Sequence, residues 1–578
     1  MRYALKERSD DTLRAGLVEY PELLQHLLYS RGITDQASAQ AFINPQYEAH
    51  SRDPFLMKGM EKAVEKTLSL IRTNGRIAIF SDYDADGVPG AVIMHDFLKK
   101  VGHDNFEIYI PHRHDEGFGL NKEAIEELAG RGAKLLITID CGIADAHEVA
   151  HANSLGIDVI ITDHHLPSSP DAIPKAYAVL NPKQADCAYP FKELCGTGVA
   201  FKLIQGLLAR ASTLNPLPFP LPPVGWEKWL LDMVGLATLS DMVSLKDENR
   251  VFAHFGLKVL RKSPRPGLQK LLRKAGVNQY MLTEDDVVFS VTPKINAASR
   301  LGSADVAFRL LSTTDESVAD LAVTELMQLN NERKGIVGGL VKEVKKIIAE
   351  RYKEAPSIIV AGNPNWRPAL LGLVANSLAR EHSCPVFLWG RDGEDEIKGS
   401  CRSDGATSVM DLMRTAREAF LEYGGHAFSG GFSVSNEAVH TLESALQNAY
   451  EKVHTEKTQE QAARSADALL LPDEVTQDTY RVIAQLSPFG HENQKPLFLM
   501  DNVMVSSARL FGKEKNHEEL LLSCADGRTV KAIRFFSGDN PEYKLPAAGA
   551  RVSLAVNMER SSFGGRTELR LRIVDIFN

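Results

Sequence analysis

Aspartate is the residue to follow in this sequence. Asp82, Asp84 and Asp86 alternate in SDYDADG (81–87), and Asp140 stands in TIDCGI (138–143). Asp163 leads the triplet Asp163-His164-His165 in TDHH (162–165), and Asp241 stands in SDMVSL (240–245). Brought together, ionised carboxylates repel, so either their pKa values rise or cations neutralise them. With an imidazole or two added, the oxygen-plus-nitrogen donor set suits Mn²⁺ or Mg²⁺. Two such ions roughly 3.5–4 Å apart would clamp the attacking and leaving oxygens of a phosphoryl transfer. Each piece alone has a plainer reading: a solvated turn, a helix cap, a packed or exposed histidine pair. The four together, each behind an apolar run, favour a metal centre.

The elements that must position these residues can be read from the same stretch. RIAIF (76–80), LLITI (135–139), VIIT (159–162) and YAVLN (177–181) are short apolar runs separated by helical patterns. Such alternation predicts a parallel sheet with right-handed crossovers, an α/β fold. The carboxyl ends of its strands line one crevice, where ligands bind. Strand-end positions after 135–139 and after MVGLATL (233–239) are expected for Asp140 and Asp241. Asp82, Asp84 and Asp86 would share one face if extended, but a turn would change that, so their individual roles stay open.

The chain divides into a helical segment 1–55, a catalytic α/β region 56–250 and a helical connector 251–355. A second α/β lobe follows at 356–455, and a strand-rich module at 467–578. Within the connector, 316–354 reads as one long helix capped by Asp315 or Thr314, with Gly335, Gly338 and Gly339 weakening its middle. NPLPFPLPP (215–223) reads as an exposed insertion. Several short strands in the last module suggest an OB-type barrel, with a β-sandwich as the alternative.

At 578 residues the chain exceeds one hydrophobic core. No run of about 18 apolar residues suggests a membrane span. The start MRYALKERSDDTLRAG lacks a signal-peptide core, so a cytoplasmic address is expected. Six scattered cysteines without a C-x-x-C pair fit a reducing compartment and argue against a disulfide framework or a zinc ribbon. A net charge of −9 means that any nucleic-acid path must be a local basic stripe.

These motifs resemble the DHH phosphoesterase superfamily, and specifically its RecJ branch. The likeness runs through SDYDADG, PHRHDEGFGL (111–120), TIDCGI, TDHHLP, LCGTGVAFKL (194–203) and LATLSDMVSL. It continues through PKINAASRLG (293–302), KGSCRS (398–403) and GGHAFSGGF (424–432). The resemblance implies metal ligation by Asp82, Asp84, Asp140, His164 and Asp241, with Asp140 bridging two divalent cations, Mn²⁺ or Mg²⁺. Asp86, Asp163 and His165 would act beside them, orienting ligands or touching the scissile phosphate. The second lobe resembles the DHHA1 substrate-binding domain. There His426 and the glycine-rich backbone would meet a phosphate, and Ser400 and Arg402 would form a pocket for a terminal 5′ phosphate. Arg113 and Arg300 are further candidates, since a guanidinium fork pairs with two phosphate oxygens. Phe118 would stack on a base or fill the core.

The chain departs from the family pattern at Trp366-Arg367-Pro368-Ala369, where W-H-x-G is usual, and at Ser299, where N-A-x-G-R has glycine. Ser429 replaces the usual alanine. None of these touches the metal set; all bear on substrate grip.

What the resemblance implies is a monomeric 5′→3′ exonuclease on single-stranded DNA, releasing 5′-mononucleotides in recombination and repair beside a helicase and single-strand-binding protein. The barrel would supply a track through Lys513, Lys531, Arg534, Phe535, Phe536, Arg560, Phe563 and Arg566. A phosphodiesterase for short oligonucleotides or cyclic dinucleotides is the alternative enzyme. A DNA-binding replisome scaffold is the non-enzymatic one, against which the intact acid set argues.

Overall fold

The four apolar runs, and the segment 106–109 besides, become strands in the computed structural model, which describes residues 3–6, 15–352, 354–391, 397–456, 464–512, 515–535, 544–561 and 568–577. They are β1 (Ile77–Ser81), β2 (Phe106–Tyr109), β3 (Leu135–Ile139), β4 (Asp158–Thr162) and β5 (Ala178–Leu180). All neighbours are parallel, in the order β2-β1-β3-β4-β5. β1 and β3 are buried along their whole length, which is why they read as unbroken apolar runs. The chain leaves β1 for one side of the sheet and returns for β3 on the other. The topological switch therefore lies between those two strands, the place where open α/β sheets bind ligands.

Strand register then does the positioning. Ser81 pairs with Ile139, and Ile139 with Thr162, so three strands end level. The next residue of each is an aspartate whose N–H still bonds to the adjacent strand. Asp82 donates to Ile139 O at 3.0 Å, Asp140 to Thr162 O at 2.9 Å, and Asp163 to Leu180 O at 3.0 Å.

Asp241 arrives differently. The run before it is a helix, Leu231–Ser240, with residues 231–239 all buried, and Asp241 caps its carboxyl end. A helix enclosed on every side carries no polar stripe, so its apolar run resembles that of a buried strand. The strand-end expectation for Asp241 is thus corrected to a helix end.

Helix α1 (Gly87–Lys100) follows the first acidic turn, and α2 (Gly196–Ala211) follows LC at 194–195. Helix α3 (Thr292–Leu301) packs against the long helix α4 (Glu316–Arg351). Asp315 caps α4 by accepting from Ser317 and Val318 N–H, and the helix runs unbroken through its glycines. The second lobe has strands β6 (Ile359–Gly362), β7 (Val386–Arg391), β8 (Ile397–Arg402), β9 (Glu422–His426) and β10 (Ser429–Val434), in the order β9-β10-β8-β7-β6. Helix α5 (Pro368–His382) covers β7 and β8.

The C-terminal strands close on themselves. Strand β11 (Phe498–Phe511) pairs along its first half with β14 (Arg551–Ser561) and along its second with β12 (His517–Ser523). β12 then pairs with β13 (Thr529–Arg534), β13 with β15 (Glu568–Phe577), and β15 with β14. That circuit is a five-stranded barrel of the OB kind, which removes the sandwich alternative. Alternate residues such as Phe498, Met500, Leu520, Leu522, Leu554 and Leu571 fill it.

Two compact units result: residues 54–241 with 259–461, and residues 1–53 with 242–258 and 462–578. In the latter, Leu24, Leu27, Leu28 and Ile43 of the N-terminal helices share the barrel's core cluster. Arg250 binds this unit together, stacking on the Phe42 ring and donating to the carbonyls of Phe42, Leu486 and Ser487. Among the described residues no helix is long and apolar enough to cross a membrane.

Candidate metal centre and anion pocket

The acids meet. Asp82, Asp84 and Asp140 bring ligand atoms within 4.8 Å of one another, as do Asp86, His164 and Asp241, and also Asp140, His164 and His165. His164 Nε2 lies 3.2 Å from Asp140 Oδ1, 3.5 Å from Asp241 Oδ2 and 3.9 Å from Asp86 Oδ2. Asp140 belongs to two of the trios, at the sheet's switch point. Its backbone adopts φ 62°, a left-handed conformation that Asp and Asn tolerate better than most residues. Gly196 makes this possible from α2: a Cβ there would lie 2.5 Å from Asp140 Oδ1.

Electrostatics fit a cation. Burial and the surrounding carboxylates raise Asp82, Asp140 and Asp241 well above the usual range. Asp86 is pushed up to about 6 by burial and then by Asp84. Burial, then the charge of His165, takes His164 down to about 3, so its imidazole is neutral at pH 7. Asp82 Oδ1 and Asp140 Oδ1 are enclosed without a hydrogen-bond donor. A neutral imidazole nitrogen amid acceptor oxygens is a poor arrangement unless a positive ion sits between them.

The remaining candidates have visible partners. Asp84 Oδ1 accepts from the N–H groups of Asp86 (2.8 Å) and Gly87 (3.2 Å), so the DxDxD stretch is a turn into α1. Asp86 accepts from Gly196 N–H (2.6 Å) and Thr197 N–H (2.8 Å), seating its carboxylate on the first turn of α2. Asp163 accepts from Ile143 N–H (3.0 Å) and from His165 Nδ1 (2.8 Å). Burial works to raise Asp163, but bonding to His165 takes it down to about 2. Burial opposes charge on His165 as well, yet Asp163 raises it. The His165 side chain is 43% exposed, and Phe118, 54% exposed, sets its ring edge-on at 5.7 Å. Phe118 is therefore no core residue.

Beside the acids lies a basic cluster. Arg113 stacks its guanidinium 4.8 Å from the centre of the Tyr83 ring. Arg300 donates to Ala369 O, and burial followed by Arg113, Arg333 and Arg402 pushes it down to about 9. Arg402 donates to Cys401 O and packs on α5, where a Cβ at Gly372 would lie 2.8 Å from a guanidinium nitrogen. Ser400 and Arg402 share a face of β8, two residues apart. Arg402 pairs with Ser429 and Ser429 with His426, which aligns the three across the sheet, His426 being exposed. The backbone carbonyl at Ala369, one of the departures, holds Arg300.

Sequence reasoning missed Arg333, Tyr83 and the residues bracing the loop of Arg113 and Phe118. Glu116 accepts from His112 N–H, Tyr109 Oη and Asn121 Nδ2. Asp145 accepts from Leu120 N–H at 2.8 Å. Glycines flanking Phe118 were the available signal. On the barrel, Phe535 gathers Phe511, His517, Arg570 and Arg572, whereas Lys531 is paired with Glu568. Lys513, Phe536, Phe563 and Arg566 lie outside the described residues.

The N-terminal domain of the DHH family matches residues 76–231, the DHHA1 domain 355–455 and the RecJ OB domain 466–575. The single-stranded-DNA-specific exonuclease RecJ of Bacillus subtilis is 33% identical across 100% of this chain and 70% of its own length. The chain belongs to the RecJ family. RecJ of Escherichia coli is 29% identical over 99% of both chains. A crystal structure of RecJ from Thermus thermophilus in complex with Mn²⁺ superposes with a TM-score of 0.80 at 26% identity, covering all of this chain and 79% of that one. A Mg²⁺ complex of the same protein gives 0.75 at 25%, with 100% and 78% covered. These metals are the ones that the donor set here suits.

Proposed function

We propose that this protein is a metal-dependent exonuclease of single-stranded DNA, working 5′→3′ and releasing 5′-mononucleotides in recombination and repair. One observation carries the chemistry: Asp82 Oδ1 and Asp140 Oδ1 are enclosed without a donor, beside the neutral imidazole of His164 and the carboxylates of Asp84, Asp86 and Asp241. Asp82, Asp84, Asp140, His164 and Asp241 would hold two divalent cations, with Asp140 shared. Those ions, when bound, supply charge neutralisation and in-line alignment at the scissile phosphate.

The chain's own groups do the rest. Asp86 keeps α2 seated so that Gly196 lies against Asp140. Asp163 accepts from His165 Nδ1 and favours the imidazolium, whose Nε2–H would donate to the scissile phosphate. Phe118 offers an exposed ring beside that position for a base. Ser400, Arg402, Arg300, Arg113 and His426 would receive the terminal 5′ phosphate and fix the end from which nucleotides are counted. Water attacks phosphorus, the bond to the 3′ oxygen breaks, and the freed nucleotide carries the old 5′ phosphate. The shortened strand ends in a new 5′ phosphate, chemically the same end, so the pocket can accept each product in turn. Single-strand-binding protein and a helicase are proposed partners, and a monomer the working form.

Digestion of single strands labelled at the 5′ or the 3′ end, with Mn²⁺ or with chelator, tests the reading. Labelled mononucleotide should appear at once from the 5′ label and last from the 3′ label, only with metal. Asp140→Asn, which keeps the left-handed backbone, should reduce turnover by at least about 10³-fold. Early release of the 3′ label, or near-normal turnover of this variant, would refute it.

A further inference from the structure

The basic cluster contains one member that no motif announces. Arg333 lies in the middle of α4, and its Nη2 donates to Asn330 Oδ1 at 3.0 Å, one helical turn earlier. Asn330 is buried, so the contact fixes the guanidinium. Arg333 Nε, by contrast, is enclosed and has no partner. On the facing helix α3, Asn296 Oδ1 is also enclosed and unpartnered, and an amide flip would present its NH₂ instead. Nearby positive charge comes from Lys294, whose amine rests on Ser290 O, and from Arg300. Among the described residues, Arg113, Arg300, Arg333 and Arg402 form no ion pair with a carboxylate.

A half-buried arginine with an enclosed N–H that serves only the fold ends on a carboxylate or on helix carbonyls, because leaving that N–H unpaired is costly. Arg333 has neither. Its orientation is fixed by a neutral amide, which leaves the charge uncompensated. Four guanidinium groups without a carboxylate partner fit an anion of high charge density. A terminal phosphate carries about −1.5 to −2 charges near pH 7, whereas an internal phosphodiester carries one.

We propose that Arg333 is a further substrate-binding residue, its guanidinium oriented by Asn330 toward the terminal 5′ phosphate beside Arg300 and Arg402. The inference rests on the reading of Arg402 and Arg300 as the 5′-phosphate pocket, and its test separates the two. Full-length wild type, Arg333→Gln, Arg333→Lys and Arg402→Gln are assayed with Mn²⁺ on the same single strand bearing a 5′ phosphate or a 5′ hydroxyl.

Loss of a charge-assisted hydrogen bond should raise KM of Arg333→Gln on the phosphorylated strand by about tenfold. Its KM on the hydroxyl strand should stay within about twofold, and kcat should stay near wild type on both. Arg333→Lys, which keeps the charge without the fork, should fall between, and it carries the test if the glutamine variant fails to fold in a thermal melt. Should Arg402→Gln lose the preference for phosphate while both Arg333 variants keep it, or lose both substrates equally, Arg333 is excluded and the pocket stands. A wild type indifferent to the 5′ phosphate removes the pocket and this inference with it.

Discussion

Asp140 concentrates the physical tension of the site in one side chain. It is buried, left-handed at φ 62°, bonded through its N–H to β4, and crowded by Asp82, Asp84, Asp86 and Asp241. A carboxylic acid whose folded-state pKa is raised binds protons more tightly when folded than when unfolded. Stability therefore falls as pH rises from the unfolded value near 3.9 toward the raised one, and at neutral pH the metal-free fold carries the deficit. Asparagine at 140 keeps the shape and the backbone preference but removes the charge. In chelator at neutral pH, Asp140→Asn should melt higher than wild type by roughly 2–4 °C, as expected for about 1 kcal/mol in a domain of this size. Manganese should raise the melting temperature of wild type well above that of the variant. Differential scanning fluorimetry with and without Mn²⁺ measures both. A variant that melts lower than wild type in chelator would mean that Asp140 is a structural anchor.

At the scale of elements, the site depends on how closely a helix start approaches a strand end. Gly196 and Thr197 give their N–H groups to Asp86, and a Cβ on Gly196 would come within 2.8 Å of the Asp140 Cα. Gly196→Ala should therefore push Asp140 away from His164 while leaving the sheet intact. A displacement near 1 Å costs about 10²-fold in rate, so kcat should fall by that order with KM little changed and the circular dichroism spectrum preserved. An unchanged kcat would show that α2 yields and the approach is loose. This contact also shows what was legible beforehand. RIAIF, LLITI and VIIT declared β1, β3 and β4, because runs of about five apolar residues closed by polar turns are too short for helices. Their level endings, and hence the meeting of Asp82, Asp140 and Asp163, follow from parallel topology. MVGLATL misled, since a helix buried all round shows no period. Arg333 was unreadable because no motif marks it and its surroundings depend on how α4 packs against α3.

For the molecule as a whole, the shared core of the second unit decides which experiment can isolate the barrel. Removing residues 467–578 would strip Leu24, Leu27, Leu28 and Ile43 of their packing and leave Arg250 without two of its carbonyl partners. A deletion would thus damage the fold along with any track. A point change on the barrel surface avoids this. Phe535 is half-buried, with Arg570 and Arg572 guanidinium groups 5.8 and 5.3 Å from its ring centre and His517 edge-on at 5.2 Å. Aromatic rings flanked by cations are what unpaired bases stack on, at about 1–3 kcal/mol per base. A strand bound at the barrel would be at raised local concentration for the catalytic unit, provided that it is long enough to engage both. Phe535→Ala should therefore raise KM on long single strands by about tenfold and leave dinucleotide cleavage untouched. Arg572→Gln should lower the salt dependence of KM on long strands by roughly one phosphate contact. If Phe535→Ala impaired long and short substrates alike, the barrel would be acting through the stability of the fold, and the strand would have to be held by the catalytic unit alone.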